Sequence, residues 1–324
     1  METIMKIHDL SDRNLTSLVG MIPEDITTVF CNNNKLTSLE GVPHGVTSIH
    51  CGKNELTTLE GLPDSVKRVY CSQNYLTSLE GLPPNLTLIC CDFNDIRSFK
   101  GLPETMLVVY CTGNSIQTLE GLPKSVHSFN CSKNPISLKG LHELESLKCT
   151  NIKLRSLEGL PRIRHIDCSY NDIQTLKGMP QGVVNFQCKH NSLTTLEGMT
   201  NKVEYIDCSY NDIVSLKGIS LSVRTILCKN NKLTSLDLPP QISCMGDFRN
   251  NYIARISPDV EIVDDGRLED RWDAIHNYQI RFVNPDPAKV VSLEFNPIWW
   301  HKIRTETVDW ASDKGIAHVL KYIV

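Results

Sequence analysis

Apolar residues recur along most of the chain with a period of 20 residues, shortened by one or two between Cys131 and Cys168. Most units follow the pattern apolar-x-x-apolar-x-Cys-x-x-Asn-x-apolar, with leucine the commonest last residue. Around Val69 and Cys71 apolar and polar positions alternate, which predicts a short strand because successive strand side chains point to opposite sides. Self-similarity at this period predicts a solenoid whose strands pair in parallel, with little helix in the repeats.

Three further columns of the repeat predict how each coil turns and stacks. An asparagine follows most of the repeat cysteines by three residues, and we expect its buried amide to bond neighbouring backbone groups. Glycines from Gly41 to Gly218 predict turns that a Cβ would obstruct. The residue before each glycine alternates in sign from Glu80 to Lys217, which predicts ion pairs between stacked coils.

Cysteine is the most unusual element of the repeat. Regular recurrence at one core position suits a small buried hydrophobe, whereas a zinc site needs convergent ligands. We therefore expect free, buried thiols and no metal or other cofactor. The eleven repeat cysteines are Cys31, Cys51, Cys71, Cys91, Cys111, Cys131, Cys149, Cys168, Cys188, Cys208 and Cys228.

The pattern divides the chain into an N-terminal cap at 1–21, repeats at 22–257 and a C-terminal segment at 258–324. A solenoid must cover its ends, and Leu10 and Phe248 replace the cysteine in two atypical end units.

The C-terminal segment loses the period and contains all four tryptophans of the chain. Helical spacing of apolar residues predicts helices at 268–278 and 316–323. We expect a small mixed α cap, in which Trp299 and Trp300 either form the core or anchor a partner.

Residues that flank the cysteine in each strand are predicted to face outward, on the concave side of the solenoid. This side is rich in aromatic residues in the N-terminal half and more polar in the C-terminal half. Exposed aromatics on a rigid sheet are typical of protein-binding surfaces, although strands favour aromatics in any case. The candidate partner-binding residues are Phe30, His50, Tyr70, Tyr110, Asp167, Tyr170, Tyr205, Asp207 and Tyr210.

The charge balance and the absence of known motifs argue against several classes of function. Lys and Arg number 33 against 37 for Asp and Glu, which gives no electrostatic reason to expect nucleic acid or an anionic membrane as partner. We see neither a secretory signal nor a membrane-spanning apolar run, so we expect a cytoplasmic protein. No phosphate-binding loop, paired CxxC, HExxH motif or serine nucleophile elbow occurs, so no catalytic residue is predicted.

The units SVKRVYCSQNYLTSLEGLP and KVEYIDCSYNDIVSLKGI resemble leucine-rich repeats, over about residues 10–257. They are similar to the short repeats of bacterial ubiquitin-ligase effector recognition domains and to repeat proteins of large DNA viruses and some phages. The resemblance implies an α/β-type repeat solenoid with a parallel β-sheet on the concave face. An effector of that kind would carry a catalytic cysteine after the repeats, but the last cysteine here is Cys244.

We therefore expect a protein–protein interaction scaffold that binds a protein partner on its concave face, in the host cytoplasm if the source is a virus. Two alternatives stay open. One is the recognition subunit of a ubiquitin-ligase-like effector. The other is an enzyme whose chemistry lies in the C-terminal segment, at Asp265, Asp273 and His276, although acids there also suit a solvated helix start.

Overall fold

A computed structural model describes residues 6–239, 242 and 245–253, together with the backbone of three short strands beyond them. Each coil contributes one short strand to the main sheet, two coils near the C-terminal end add a second strand, and no helix occurs in these residues. The strands are β1 (Ile7–Asp9), β2 (Thr28–Phe30), β3 (Ser48–His50), β4 (Arg68–Tyr70), β5 (Leu88–Cys90), β6 (Val108–Tyr110), β7 (Ser128–Asn130), β8 (Leu144–Lys148), β9 (Ile163–Asp167), β10 (Asn185–Gln187), β11 (Tyr205–Asp207), β12 (Thr225–Leu227), β13 (Ser235–Leu236), β14 (Met245–Asp247), β15 (Arg255–Ile256), β16 (Glu261–Val263) and β17 (Gln279–Val283).

The chain divides into two compact units, Met1–Lys153 with Gly159–Ile166, and Leu154–Glu158 with Asp167–Val324. In the first unit, β1 to β8 pair in parallel in chain order. Corresponding residues of successive coils face one another, so Val29 pairs with Ile49 and Ile49 pairs with Val69. The predicted parallel solenoid is confirmed.

The second unit also contains in-register parallel strands, but its last strands pair antiparallel. Strands β10, β11, β12 and β14 pair in parallel, whereas β17 pairs antiparallel with both β14 and β16. Strands β16 and β17 are the described parts of the C-terminal segment. The helices predicted at 268–278 and 316–323, and the paired tryptophans at 299 and 300, lie outside the described residues.

The core consists of the inward side chains of every coil. All eleven repeat cysteines are fully buried, and the described cysteines are free thiols, as predicted. Leu10 and Phe248 are buried in the cysteine slot of the end coils. The Leu10 N–H donates to the Phe30 carbonyl (2.7 Å), as the Cys31 N–H donates to that of His50 (2.8 Å). These two end positions confirm that the atypical units share the register of the repeats.

The asparagines join each coil to the next. In Asn54, the side-chain amide donates to the carbonyls of Cys31 and Cys51, each at 3.0 Å, and its oxygen accepts the N–H of Leu36 at 3.0 Å. One side chain therefore satisfies three backbone groups of two coils, which confirms the predicted role of the column. Equivalent bonds are formed by Asn74, Asn94, Asn114, Asn134, Asn191, Asn211, Asn231 and Asn251.

Coil-to-coil contacts at the glycine turns also follow the prediction in part. Gly121 has a φ of 82°, and a Cβ there would lie 2.7 Å from the Lys100 backbone nitrogen. Gly140 has a similar φ of 85° but open space around it, so only its backbone conformation requires glycine. Among the alternating charges, Lys100 pairs with Glu120 at 3.4 Å.

The shortened coils have longer strands. β8 and β9 contain five residues each, against three in β2 to β7. In the 20-residue coils a turn precedes the strand, as where the Val66 N–H donates to the Pro63 carbonyl at 3.0 Å. The two shortened coils lack this turn, and their strands begin earlier, at Leu144 and Ile163.

Candidate functional site

In the first unit, the residue before each buried cysteine lies on the solvent side of the sheet, as predicted. Phe30, His50 and Tyr70 are partly exposed and stack face to face, with ring centroids 4.2 Å apart at both steps. The in-register pairing of β2, β3 and β4 imposes this spacing, because neighbouring strands lie about 4.8 Å apart. Burial, with a smaller contribution from the Arg68 charge, lowers the pKa of His50.

The same row continues with Cys90 and Tyr110. Cys90 is partly exposed, and its Sγ lies 3.3 Å from the Ser72 Oγ. Tyr110 is exposed, and Leu88 and Val108 beside them are partly exposed. This side of the first unit is therefore an aromatic and apolar surface with few charges.

The second unit has a polar surface at the corresponding positions. Asp167 and Asp207 each accept the backbone N–H two residues later, at 3.1 Å. Asp167 is partly exposed, but Asp207 is only 8% exposed, which corrects the expectation of an outward, accessible carboxylate there. Tyr205 is partly exposed, and burial together with the Asp207 charge raises the pKa of its phenol.

Tyr170 and Tyr210 do not lie on strands, contrary to the predicted outward strand positions. Both occupy the second position after the buried cysteine, in a left-handed turn with φ of 59° and 58°. His190 has the same conformation between them, and its ring stacks on both, at 4.4 Å and 4.2 Å. We call these three residues the tyrosine ladder. Its tyrosines are 51% and 41% exposed.

Sequence reasoning missed the ladder as a unit. It depends on left-handed backbone at one column, which the asparagines and glycine found there in other coils, Asn33, Gly113 and Asn230, favour. The lysine ammonium of Lys229 lies 5.8 Å from the centroid of Tyr210 and extends the ladder by a cation–π contact.

The described residues contain few groups with unusual reactivity. Burial raises the pKa of the Cys31 and Cys131 thiols to about 12, so these two thiols are neutral and unreactive near pH 7. The described residues contain no group of three or more His, Cys, Asp or Glu side chains that could hold a metal ion. Nor does any helix in that part of the chain have the length and apolar character to cross a membrane.

Comparison with solved structures identifies the fold. YopM from Yersinia enterocolitica WA-314 is 20% identical, with a TM-score of 0.51 over 72% of this chain and 62% of its own. YopM from Yersinia pestis, a leucine-rich effector protein, is 21% identical, with a TM-score of 0.58 over 77% and 79%. CroV588, a circular leucine-rich-repeat protein, is 15% identical, with a TM-score of 0.56 over 74% and 41%.

This chain thus spans less than two thirds of the first of these proteins. No protein-family profile matches the chain, and no curated protein matches it in sequence. The parallel coils, their buried cysteine and asparagine columns and these structural neighbours agree, and the chain has the leucine-rich-repeat fold.

Proposed function

We propose that this protein is an interaction scaffold, not an enzyme, and that it binds a partner protein on the solvent side of its parallel sheet, the concave side of the predicted solenoid. The stacked row of Phe30, His50 and Tyr70 is the observation that carries the proposal. Inward side chains already form the core, so the fold does not require aromatic residues at these outward positions. Partly exposed aromatics are enriched at the centres of protein interfaces because they bury a large area on binding.

The other candidate residues extend this surface within each unit. Tyr110 adds an exposed ring to the first unit, and the second contributes Asp167, Tyr205 and the tyrosine ladder. We assign the binding surface to the repeats at 22–257, with 1–21 and 258–324 as caps at either end.

We also propose that the partner is cytoplasmic, in a host cell if the resemblance to viral repeat proteins reflects the source. The free thiols support this proposal, because an oxidising compartment favours disulfides and a reducing one preserves thiols.

Charge substitution tests the proposed surface. The double variant Tyr70→Glu and Tyr110→Glu is expected to lose capture of its partner from cell lysate, because two carboxylates would have to be desolvated in the interface. Tyr75→Glu is the matched control, since Tyr75 is exposed but follows the turn, outside this row. All three proteins should melt at the same temperature. Capture that survives in the double variant would exclude this face.

A further inference from the structure

The aromatic row of the first unit exposes a ring edge at its centre. His50 lies between Phe30 and Tyr70 at interplanar angles of 18° and 9°, so the neighbouring rings cover both of its faces. The imidazole is still partly exposed, and neither of its nitrogens has a hydrogen-bond partner among the described residues. An imidazole carries at least one N–H donor, and the edges of Phe and Tyr rings are partially positive. The centre of the row therefore suits an anionic oxygen.

Cations border this row on both sides. Arg68 points to the solvent side of β4, two residues before Tyr70, and the exposed Lys67 precedes it. Lys53 is exposed in the left-handed turn after β3, three residues after His50. Burial and then the Arg68 charge lower the pKa of His50, so this guanidinium acts on the imidazole. A ligand that covers the row meets positive charge on either side of it.

These three cations have no ion-pair or hydrogen-bond partner in the part of the chain that the structure describes. Other coils neutralise the same column. Arg224 occupies the position of Lys67 and pairs with Glu204, one coil earlier, at 3.8 Å. The coils before and after Lys67 have Thr47 and Thr87 there instead. The fold can therefore compensate a cation at this position, and this chain leaves it uncompensated beside the aromatic row.

The other charges on this side of the first unit are already engaged. Between residues 27 and 133, the segments from four positions before each repeat cysteine to two after it contain four cations and one carboxylate. That carboxylate, Asp92, accepts the N–H of Thr112 at 2.6 Å and the thiol of Cys90 at 3.5 Å. The fourth cation, Lys133, lies 5.7 Å from the ring centroid of Phe93. The charges left for a partner are therefore positive, although the whole chain has a net charge of −4.

The first coil gives the row an acidic end. Asp9, which pairs with Phe30 in the sheet, accepts the N–H of Ser11 at 2.9 Å. Asp12 accepts the side-chain amide of Asn33. The cationic part of the surface is thus confined to β3 and β4.

Beyond Tyr70 the same surface becomes apolar. Leu88 on β5 and Val108 on β6 are partly exposed, and Tyr110 is 36% exposed. Strands β4 and β6 are two steps apart, about 9.6 Å, which an extended peptide covers in about three residues. One short segment can therefore place acidic side chains at β3 and β4 and apolar side chains at β5 and β6.

We propose that this surface binds an acidic, extended segment of a partner protein, with carboxylates at Lys53 and Arg68 and apolar side chains at Leu88. This proposal rests on the scaffold function and names its partner class. A single-stranded nucleic acid is also anionic, but its bases bind by stacking on ring faces. Because both faces of His50 are covered, the row favours the carboxylates of a peptide.

Fluorescence anisotropy with the full chain and the labelled peptide Gly-Glu-Asp-Glu-Leu-Phe-Leu-Gly tests the charge. The peptide Gly-Gln-Asn-Gln-Leu-Phe-Leu-Gly has nearly the same shape and no charged side chain. We expect the acidic peptide to bind about tenfold more tightly, a difference of about 1.4 kcal/mol, although the net charge of the chain repels it. Equal affinity of the two peptides, no binding of the acidic peptide at millimolar concentration, or tighter binding of a short oligothymidine would overturn the proposal.

Substitution locates the site. Lys53→Asn with Arg68→Ser introduces the residues that the preceding coil has at these positions, and it should weaken binding of the acidic peptide about tenfold. Lys35→Gln with Lys124→Gln is the matched control, since it removes two exposed cations of the same unit outside these segments. Circular dichroism melting verifies that both variants fold. Equal losses of affinity in the two variants would indicate a general effect of charge and contradict the inference.

The two proposals fail separately. If the acidic peptide does not bind, but capture of the cellular partner still depends on Tyr70 and Tyr110, the scaffold function stands and only the assignment of an acidic partner is wrong.

Discussion

Asn94 shows how a single residue holds two coils together. Its amide donates to the carbonyls of Cys71 and Cys91, at 3.2 Å and 3.0 Å, and its oxygen accepts the N–H of Leu76 at 3.0 Å. The side chain is buried, so water cannot replace these bonds when the amide is removed.

Substitution of Asn94 by alanine should therefore lower the free energy of unfolding by about 2 kcal/mol or more, because three buried backbone groups lose a partner. Urea denaturation followed by circular dichroism measures the change. Asp95→Ala is the control, since Asp95 is exposed and adjacent. Equal stability of the two variants would show that the asparagine column is dispensable.

At this scale the sequence predicts buried positions better than exposed ones. Cysteine and asparagine recur at fixed positions in the buried interior. Their roles, as a small core side chain and as an amide that bonds the backbone, could therefore be predicted from spacing alone. Asp207 was expected to be accessible, yet it is nearly buried beside Tyr205 and Ser209. Exposure depends on side chains of neighbouring coils, which a single repeat pattern does not contain.

At the scale of one coil, the glycine turn must pass the backbone of the preceding coil without a steric clash. Gly121 and Gly140 share the left-handed backbone, with φ of 82° and 85°, but only Gly121 would bring a Cβ against a neighbouring backbone. Alanine substitutions at these two glycines therefore distinguish the free-energy cost of the left-handed backbone from the cost of a steric contact with the neighbouring coil.

Alanine at either position should cost about 1–2 kcal/mol for the left-handed conformation. Gly121→Ala should cost clearly more than Gly140→Ala, because its methyl group would lie 2.7 Å from backbone atoms of Lys100 and Phe99. Parallel chemical denaturation of both variants measures the difference. A result in which Gly140→Ala is the more damaging would contradict the packing described at these turns.

Strand positions could be predicted from the period, but strand lengths and side-chain stacks could not. The longer β8 and β9 depend on the absence of one turn. The tyrosine ladder depends on a φ angle that the sequence pattern of a coil does not specify for tyrosine.

For the whole molecule, the buried thiols of Cys31 and Cys131 couple stability to pH. Burial raises the thiol pKa from its ordinary value near 9 to about 12 at Cys31 and Cys131. Between these values the folded chain holds protons that the unfolded chain releases. The free energy of unfolding therefore falls as pH rises above about 9.

Each such thiol should lower the free energy of unfolding by about 1.4 kcal/mol between pH 8 and pH 10. Thermal and urea unfolding of the wild-type chain and of Cys131→Ala across this range tests the prediction. The variant should start less stable at pH 8, because its core loses a sulfur, and should then lose less stability on alkalinisation. Parallel pH profiles for the two proteins would contradict it.

The solenoid could be predicted as a whole because the period itself specifies the stacking. The segment after residue 257 has no period, so spacing gave only local helices there and no register with the repeats. The described strands β16 and β17 show antiparallel pairing that no repeat column encodes.

The identical asparagine bonds have an evolutionary consequence. Since Asn54, Asn114 and Asn211 present the same donors and acceptor to their neighbours, one coil can in principle follow any other of the same length. Recombination that copies or removes an entire coil preserves these hydrogen bonds between coils, whereas insertion of part of a coil disrupts them. Such a chain can lengthen or shorten its surface between generations while its interior chemistry stays constant.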